Sequence, residues 1–563
     1  MQLGPADDDP LVGAPDDPDI EIGVTLLMGP AAAVALGGVD HLGGAQVVVA
    51  HVMVEPLDVG RVCGTNAACD RPLRVAGRGA IKGGKDMEEP RTMAELLEAL
   101  ASALGADGVL TGPDALERAQ SPWTRLGAPL AVLRPRSTAE VSAVLRLAHA
   151  ARRAVVPWGG RTGLVDGALA DDALALSLER MNTIEEIDGD AGVMRLRAGC
   201  VLQTACEAAE AEGLLLPLDL GSRGSATIGG NISTNAGGNR VLRYGMTRDM
   251  VLGLEAVLAD GTVVDALNPL LKNNAGYDIK QLFIGTEGTL GVVTRAVLRL
   301  RPRPASHNVA MLAVAAFAAL PRLLRRLERG LGGALSAFEV LWPEFYDLVT
   351  TPPARGAPPL PRGHGFYVLV EAMGGDASAD GERFEQVLAG ALEADDIVDA
   401  VIAKSDAERA ALWALRDDVG QTARNGPIMA FDVSLRVSAM ESYVAEVRAA
   451  LPLRGSDGSG LMVFGHLGDG NLHVIAPAGD RAPTTRRAVE EGVYGPLRAR
   501  GGSISAEHGI GLLKREYLAW SRSPAELAVM RTLKTAFDPR DILNPGKVLE
   551  TLAIGGTERE PCE

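Results

Sequence analysis

Two hydrophobic periods alternate along residues 92–304 and together predict an α+β domain. Apolar side chains recur at helical spacing in MAELLEALASAL, which follows a capping box of Thr92 and Glu95, and in STAEVSAVLRLAHAARR, which Ser137 caps. Shorter runs have the length and residue types of strands, and they alternate with helices such as LQTACEAAEAEG. These strand runs are ARRAVVPW, ALALSL, VMRLRAG, LGLEAVLADGTVV and LGVVTRAVLRL.

A second α+β domain is predicted over residues 305–503, where the helical runs become longer. These runs are AALPRLLRRLERGL, ADGERFEQVLAGALE and AMESYVAEVRAAL, and the strands between them are GFYVLVEAM, MAFDVSLRV and LMVFGHL. The Pro-rich residues 352–362 are predicted to form a loop. A C-terminal segment, 504–550, carries candidate chemistry and precedes a tail, 551–563.

Residues 1–91 differ from the rest of the chain. They contain acidic and proline repeats without a sustained period, so we expect a disordered extension without a role in function. The stretch GAIKGGK at 79–85 mimics a phosphate loop, but Asp86 stands where a Ser or Thr would bind magnesium. We therefore reject it as a nucleotide site.

The composition narrows the possible partners. A formal charge of −17 argues against nucleic acid, which requires a basic face. Five irregularly spaced cysteines without a CxxC pair indicate neither a disulfide framework nor a thiolate zinc site, and they favour a reducing compartment. The chain start, acidic and free of basic residues over 1–22, is not a signal peptide, and no membrane span is predicted.

Three glycine-rich segments, 157–168, 217–238 and 273–294, lie in the first domain. Glycines let the backbone approach a ligand closely, and successive N–H groups in such loops form a nest for a pyrophosphate. Plain turns remain the alternative for each segment taken alone. None of them follows GxGxxG between a strand and a helix, which disfavours an ordinary dinucleotide-binding unit.

A histidine pair marks a candidate metal site in VFGHLGDGNLHVI. A two-residue turn at Asp469-Gly470 would place His466 directly opposite His473, with Cβ atoms roughly 5 Å apart. Asn471 would share their face of the hairpin. Two neutral imidazoles at this distance suit a metal, although a hydrogen-bonded histidine pair explains the pattern equally well.

The segment SISAEHGIG adds an acid and a third imidazole. Glu507 would complete a set of two histidines and one carboxylate, and His508 would be available as a general base. On the residues alone, a Glu-His pair that caps a helix is an equal alternative.

The glycine-rich segments resemble the FAD-binding domain of the vanillyl-alcohol oxidase superfamily, over roughly residues 120–550. The resemblance is strongest to the branch of D-lactate and D-2-hydroxyglutarate dehydrogenases and the glycolate oxidase flavin subunit. It implies a two-part PCMH-type FAD domain, an α+β cap domain for the substrate and a short C-terminal helical segment. No histidine occurs between 150 and 306, so FAD is expected to bind non-covalently.

The resemblance also implies which residues hold FAD. The pyrophosphate would lie on the loop 159–163, the flavin on the second segment, and the adenosine end near the third, while FDPRDILNPGK brings Asn544 and Lys547 near the flavin. The residues implied are Gly159, Gly160, Arg161, Thr162, Gly163, Ser222, Thr227, Gly230, Asn231, Thr234, Glu287, Gly288, Val292 and Asn544.

The HxxxxxxH and EHG motifs of this branch are intact, and they imply a divalent metal, zinc or manganese, on His466, His473 and Glu507. His508 would be the catalytic base, Arg416 in LWALRDDV would hold the substrate carboxylate, and Asn471 would belong to the catalytic set. An arginine suits this task because its fork donates two parallel charge-assisted hydrogen bonds. A hydride would then pass from the substrate to the flavin.

Two departures from the branch bear on the substrate. The 2-hydroxyglutarate enzymes have a hydroxyl residue and a lysine where this chain has Gly420 and Ala430. We therefore expect a small D-2-hydroxy acid such as D-lactate. Alternatives are a D-2-hydroxyglutarate dehydrogenase, a flavin subunit of a glycolate oxidase complex, and a non-redox flavoprotein.

The resemblance sets expectations for partners and location. The electron acceptor would be a quinone, a cytochrome or an electron-transfer flavoprotein, and a homodimer is compatible with the sequence. A cytoplasmic location is expected, at most peripheral to the inner membrane face.

Overall fold

The computed structural model describes residues 92–354, 356–424, 426–451, 460–478 and 482–551. The expectations for residues 1–91, for the stretch 79–85 and for most of the tail lie outside this range. The first sheet of the described chain has four short strands: β1 (Val109–Leu110), β2 (Ala131–Leu133), β3 (Val155–Trp158) and β4 (Leu174–Ser177). Their order is β1-β2-β4-β3, with β2, β4 and β3 parallel. Helices α1 (Met93–Leu104), α2 (Gly112–Arg118) and α3 (Thr138–Ala150) accompany it.

The second sheet is antiparallel. Its strands are β5 (Ile184–Asp188), β6 (Val193–Arg197), β8 (Val251–Val257), β9 (Val263–Ala266) and β10 (Val292–Arg299), in the order β5-β6-β10-β8-β9. The helices of this part are α4 (Leu202–Ala211), α5 (Ile228–Thr234), α6 (Val241–Tyr244) and α7 (Thr247–Met250). A separate short pair joins β7 (Leu214–Leu215) to β11 (Arg301–Pro302). One hydrophobic cluster extends from α1 through the first and second sheets.

A seven-stranded antiparallel sheet follows from residue 306. Its strands are β12 (Ser306–Val314), β13 (Leu335–Leu341), β14 (Phe366–Gly374), β15 (Asp399–Ile402), β16 (Ile428–Ser434), β17 (Met462–His466) and β18 (Asn471–Pro477). Their order is β15-β12-β14-β13-β17-β18-β16. The helices are α8 (Leu320–Gly330), α9 (Pro343–Thr350), α10 (Ala377–Glu393), α11 (Asp406–Asp417), α12 (Val437–Ala450), α13 (Pro483–Arg500), α14 (Leu518–Ser521) and α15 (Pro524–Phe537).

The alternation along the strands separates the two faces of this large sheet. Phe338 and Val340 of β13 pack with the leucines of α8 on one face. Glu339, between them, points to the opposite face, where it meets His466. That face also carries a smaller hydrophobic cluster with α9 and α11. Helices therefore cover the sheet on both faces. Glu339 and His466 lie on the face that α9 and α11 cover, opposite to α8.

The α+β prediction is confirmed, and several local predictions are as well. Thr92 and Glu95 form the predicted capping box, and Ser137 accepts from the Glu140 N–H at the start of α3. The single strand predicted over LGLEAVLADGTVV was wrong. The chain reverses at Gly261 (φ +83°), and the run splits into β8 and β9, which pair with each other. An Asp-Gly pair inside an apolar run is a turn signal that outweighs the apolar pattern.

Candidate functional site

The first glycine-rich loop lies directly against the start of α5. A Cβ on Gly159 would come within 2.6 Å of the Thr227 hydroxyl, and one on Gly160 within 2.0 Å of the Ser225 carbonyl oxygen. Thr227 is the N-cap of α5, and its hydroxyl accepts from the Gly230 N–H. Only glycine at these two positions allows so close an approach. The approach places the N–H groups of the loop next to those at the start of α5, and such a group of donors suits a pyrophosphate.

The third and C-terminal segments close the same region. Glu287 has φ +54°, and its N–H donates to the Ser233 carbonyl of α5. Asn544 donates from Nδ2 to the carbonyls of Gly167 and Glu287, at 3.0 and 2.7 Å. The three glycine-rich segments and the C-terminal segment therefore meet beside β3.

Two side chains here have polar atoms without a partner. The buried Asn231 Nδ2 and Asn544 Oδ1 make no hydrogen bond within the described residues. Buried polar atoms are rarely left unsatisfied, because each costs free energy comparable to a lost hydrogen bond. Together with the glycine contacts, they fit a site for FAD.

The other predicted cofactor residues lie near this region, but some have other contacts. The Arg161 guanidinium donates to the Arg118 carbonyl, and Thr234 Oγ1 turns back to the Gly230 carbonyl. The Glu287 carboxylate accepts the N–H groups of Ile510 and Gly511, at 2.6 and 2.9 Å. Its burial raises its pKa, which these N–H groups partly offset. The remaining residues lie in loops or in the core: Thr162, Gly163, Ser222, Gly288, Val292 and Lys547.

The two predicted metal-binding histidines share a face, but the predicted register was wrong. Phe464, not His466, lies opposite His473, so the two histidines are diagonal neighbours. The reason is the connection, which is longer than a two-residue turn. Residues 467–469 form a 3₁₀ turn closed by Gly470, whose φ is +89°. A type I′ turn would need positive φ at Asp469 too. Because side chains alternate with period two, a shift of two residues keeps both rings on the same face.

Three imidazoles converge on one carboxylate oxygen. Oε1 of Glu507 lies 3.9 Å from Nε2 of His466, of His473 and of His508. Ligands on a tetrahedral zinc ion with bonds near 2.1 Å are separated by about 3.4 Å. Each histidine nitrogen therefore lies slightly farther from Glu507 Oε1 than two ligands of one ion would. Nitrogen with carboxylate oxygen is a suitable donor set for zinc or manganese.

His466 is held by a buried pair that the sequence reasoning missed. Its Nδ1 lies 2.6 Å from Oε1 of Glu339, and Arg416 donates from Nε to the other oxygen at 2.9 Å. A second nitrogen of Arg416 lies 3.0 Å from His466 Nε2. Since a guanidinium can only donate, Nε2 carries the lone pair and Nδ1 the proton. Glu339 thus orients the ring in the tautomer that metal binding requires.

Asp432 holds the loop that carries Glu507 and His508. Its Oδ2 accepts the backbone N–H groups of Ala506, Glu507 and His508 at 2.9–3.0 Å. Its other oxygen accepts Nδ2 of Asn471 at 2.8 Å. Burial alone would raise the pKa of Asp432, but the facing His508 and Lys514 lower it, so the carboxylate is ionised.

Asp432 also belongs to a cluster with His473, Glu507 and His508, whose ligand atoms all lie within 4.8 Å of one another. We exclude it as a first choice of metal ligand, because both of its oxygens already accept hydrogen bonds. Burial lowers the pKa of His473, so its ring is neutral, as a metal ligand must be.

The metal-type cluster borders the second glycine-rich segment. The Gly238 N–H donates to Glu507 Oε2 at 3.0 Å, so Glu507 joins the large sheet to the predicted flavin side. The Oδ1 atom of Asn471 is buried and has no partner within the described residues. The structure therefore brings Arg416, His466, Asn471, His473, Glu507 and His508 together beside residues 237–238.

A third buried carboxylate links the seven-stranded sheet to the chain that follows the second glycine-rich segment. Glu371 of β14 is fully buried and accepts from Arg240 Nε at 3.0 Å, from Ser336 Oγ at 2.7 Å and from Trp413 Nε1 at 3.2 Å. His307 lies 2.7 Å from the same group. Burial alone would raise the pKa of Glu371, but His307 and Arg240 lower it to about 2. Arg240 follows the glycine-rich segment, and Trp413 shares α11 with Arg416, so Glu371 helps to set their relative position.

The missed residues had one weak signal. Glu339, Glu371 and Asp432 each interrupt an otherwise apolar strand, in SAFEVLW, YVLVEAM and MAFDVSL. A charge within such a strand is almost never buried without partners. The pattern indicates that partners exist, but it does not identify them.

Two family models match the chain. The first, described as FAD binding domain, matches residues 129–267, and the second, FAD linked oxidases, C-terminal domain, matches residues 303–548. Residues 268–302, which include β10 of the second sheet, lie between the two matches. No helix among the described residues is long and apolar enough to cross a bilayer.

Curated relatives resemble most of the chain. A D-2-hydroxyglutarate dehydrogenase from Xanthomonas citri pv. viticola is 40% identical over 473 residues, covering 83% of this chain and 98% of its own. The mitochondrial D-2-hydroxyglutarate dehydrogenase of Bos taurus is 40% identical over 454 residues, covering 79% and 82%. A Schizosaccharomyces pombe protein provisionally named as a mitochondrial D-lactate dehydrogenase is 36% identical, covering 80% and 89%.

Solved structures share the fold. p-Cresol methylhydroxylase matches with a TM-score of 0.66 at 15% identity, covering 81% of this chain and 97% of its own. Alkyldihydroxyacetonephosphate synthase matches with a TM-score of 0.61 at 17% identity, covering 82% and 86%. These matches confirm the PCMH-type FAD-binding architecture with a cap domain.

Proposed function

The chain belongs to the FAD-linked 2-hydroxy-acid dehydrogenases, and from that premise we propose that it oxidises a small D-2-hydroxy acid to the 2-oxo acid. The observation that carries the proposal is the convergence of three imidazoles on Glu507, whose other oxygen binds the glycine-rich segment through Gly238. This arrangement supports a substrate position between the large sheet and the flavin side.

FAD is the cofactor, and the residues that would hold it are the predicted ones around Gly159, Gly160, Thr227, Asn231 and Asn544. When bound, FAD accepts a hydride from the substrate carbon. The chain itself supplies N–H groups and the two unpaired amide atoms. We propose non-covalent binding, because the sequence has no histidine between residues 150 and 306.

We further propose a divalent metal on His466, His473 and Glu507. A bound ion would polarise the 2-hydroxyl group and lower its pKa. The Glu339 carboxylate behind His466 supports this assignment, because ligating histidines usually donate their other N–H to a carboxylate or carbonyl.

Two residues have proposed roles toward the substrate. Arg416 uses Nε for Glu339 and one terminal nitrogen for His466, so its other terminal nitrogen remains as a donor for the substrate carboxylate. His508 is the proposed base for the hydroxyl proton, since its Nε2 faces Glu507 while its backbone is fixed by Asp432. Asn471 is the third proposed member of the catalytic set, because its buried Oδ1 atom has no partner within the described residues and can accept a hydrogen bond.

We assign residues 92–304 to the FAD domain, 305–503 to the cap domain and 504–550 to a segment that returns to the flavin. The last assignment is supported by the bridge of Leu543 to Val155 and by the contacts of Asn544. Reoxidation requires an electron acceptor, for which quinones, cytochromes and electron-transfer flavoproteins are the candidate classes.

Two residues, Gly420 and Ala430, support a small substrate. A Cβ at Gly420 would meet nothing within 4 Å, and Ala430 is exposed on the same face of β16 as Asp432. Neither residue can bind a second carboxylate. The names of the relatives favour the five-carbon diacid instead, which makes D-2-hydroxyglutarate the second candidate.

Steady-state kinetics with D- and L-2-hydroxy acids and an artificial electron acceptor test the proposal. We expect kcat/KM for D-lactate to exceed that for D-2-hydroxyglutarate at least tenfold, because a charged hydrogen bond contributes roughly 1.5–3 kcal/mol. A clear preference for the diacid would refute the size argument. Failure of every 2-hydroxy acid to bleach the flavin anaerobically would refute the function itself.

A further inference from the structure

A basic groove lies on the side of the seven-stranded sheet opposite to the candidate site. Leu323 and Leu327 of α8 pack with Val340, whereas the adjacent Glu339 faces the histidines on the other side. Four arginines of α8 occupy one face of the helix, turned away from these leucines, because positions i, i+3, i+4 and i+7 share a face. They are Arg322, Arg325, Arg326 and Arg329.

The groove has room for a small ligand. A cavity of about 660 Å³ opens between the arginine face and α10, within the range of small-molecule pockets. On the α10 side it is lined at four-residue spacing by Gln386, Gly390 and Ala394. A Cβ on Gly390 would meet only a nitrogen of Arg326, at 4.0 Å. The small residues keep the groove open beside the arginines.

The groove holds more positive charge than its own acid balances. Asp396 is buried and accepts from Nε of Arg322 at 3.0 Å and of Arg326 at 2.9 Å. Across the described part of the chain, no carboxylate lies within 4.0 Å of the guanidinium nitrogens of Arg325 or Arg329. Like charges on successive helical turns repel one another. Since the whole chain has a net charge of −17, a generally basic composition does not explain this cluster.

We propose that this arginine groove binds a multiply charged phosphate compound, of the size of pyrophosphate or a nucleoside triphosphate. Guanidinium forks match phosphate oxygens with pairs of charge-assisted hydrogen bonds. Four guanidinium groups face the single charge of Asp396, so three positive charges are uncompensated. A single carboxylate ligand would balance one of them, whereas a polyphosphate balances more. The four guanidinium groups lie within about two turns of one helix, which favours a compact anion over an extended acidic peptide.

Isothermal titration calorimetry tests the proposal. The full chain, saturated with FAD, is titrated at low ionic strength with inorganic pyrophosphate and, separately, with ATP. Saturation with FAD is necessary because the glycine-rich loops also suit a pyrophosphate. We expect one site per chain. The double variant Arg325→Gln/Arg329→Gln should weaken binding at least tenfold. FAD content and dehydrogenase activity should be unchanged, because both side chains are exposed and lie on the other side of the seven-stranded sheet from the candidate metal and flavin site.

The control variant Arg498→Gln/Arg531→Gln removes the same charge from exposed positions of α13 and α15 and should retain the affinity of the unaltered protein. Tighter binding of ATP than of pyrophosphate would identify the ligand class as a nucleotide, and equal binding would identify it as a polyphosphate. Absence of saturable binding would overturn the proposal. Equal binding by Arg325→Gln/Arg329→Gln, or equal weakening in the control, would also overturn it.

Discussion

Replacing Asp432 by Asn tests how far the candidate site depends on one buried carboxylate. The substitution keeps the shape of the side chain but removes its charge. One oxygen of Asp432 accepts three consecutive N–H groups, from residues 506, 507 and 508, and the other accepts Asn471. The amide nitrogen of Asn would face hydrogen-bond donors in the place of either oxygen. Only one group of donors, the three backbone N–H groups or the Asn471 amide, can then keep its acceptor.

The magnitude follows from these bonds. A hydrogen bond to a charged acceptor contributes about 1.5–3 kcal/mol and a neutral one about 0.5–1.5 kcal/mol, so each of the three bonds to Oδ2 weakens by roughly 1 kcal/mol. The loop that positions Glu507 and His508 therefore loses about 3 kcal/mol of hydrogen-bond stabilisation in total. At about 1.4 kcal/mol per factor of ten, kcat/KM should decrease on the order of 100-fold.

The assay combines kcat/KM with bound FAD measured by absorbance and bound metal measured by elemental analysis. FAD content should stay near that of the unaltered protein, because the glycine-rich loops do not contact Asp432. Asp380→Asn is the matched control: it removes a carboxylate that accepts from Ser306 Oγ and the Asp376 N–H at the start of α10, away from the site. A decrease of less than threefold in Asp432→Asn, or an equal decrease in the control, would refute the reasoning.

Acid precipitation should release FAD into the supernatant, and flavin that stays with the pellet would contradict non-covalent binding. His466→Ala and His473→Ala should each remove most bound divalent metal and most activity while FAD content stays nearly constant; elemental analysis that finds no stoichiometric metal in the unaltered protein would disprove the metal proposal. The pKa of Glu371 is about 2 in the folded chain against an ordinary 4.5, so its ionised form stabilises the fold above pH 4.5, and this contribution disappears as the pH falls toward 2. The stability difference between the unaltered protein and Glu371→Gln should therefore shrink over this interval in denaturant titrations, and a difference independent of pH would rule out this linkage.

Local rules were sufficient where neighbours in sequence are also neighbours in space. The helix that begins after Thr92 follows from apolar spacing and a capping box, both of which act within four residues. The shared face of His466 and His473 follows from strand alternation, which survives even the wrong register. The register itself was not predictable, because the 3₁₀ turn at 467–469 depends on how β17 and β18 pack in the sheet.

The sequence by itself thus determined the α+β class, most element positions and the residue types of the site. Only the tertiary structure decided which acids complete that site. Glu339 meets His466 across 127 positions of the chain, Glu371 meets Arg240 across 131, and Gly238 meets Glu507 across 269. No periodic pattern encodes such pairs. They form because burying a charge is costly unless a partner lies within hydrogen-bond distance, and only the packed sheets determine which partner that is.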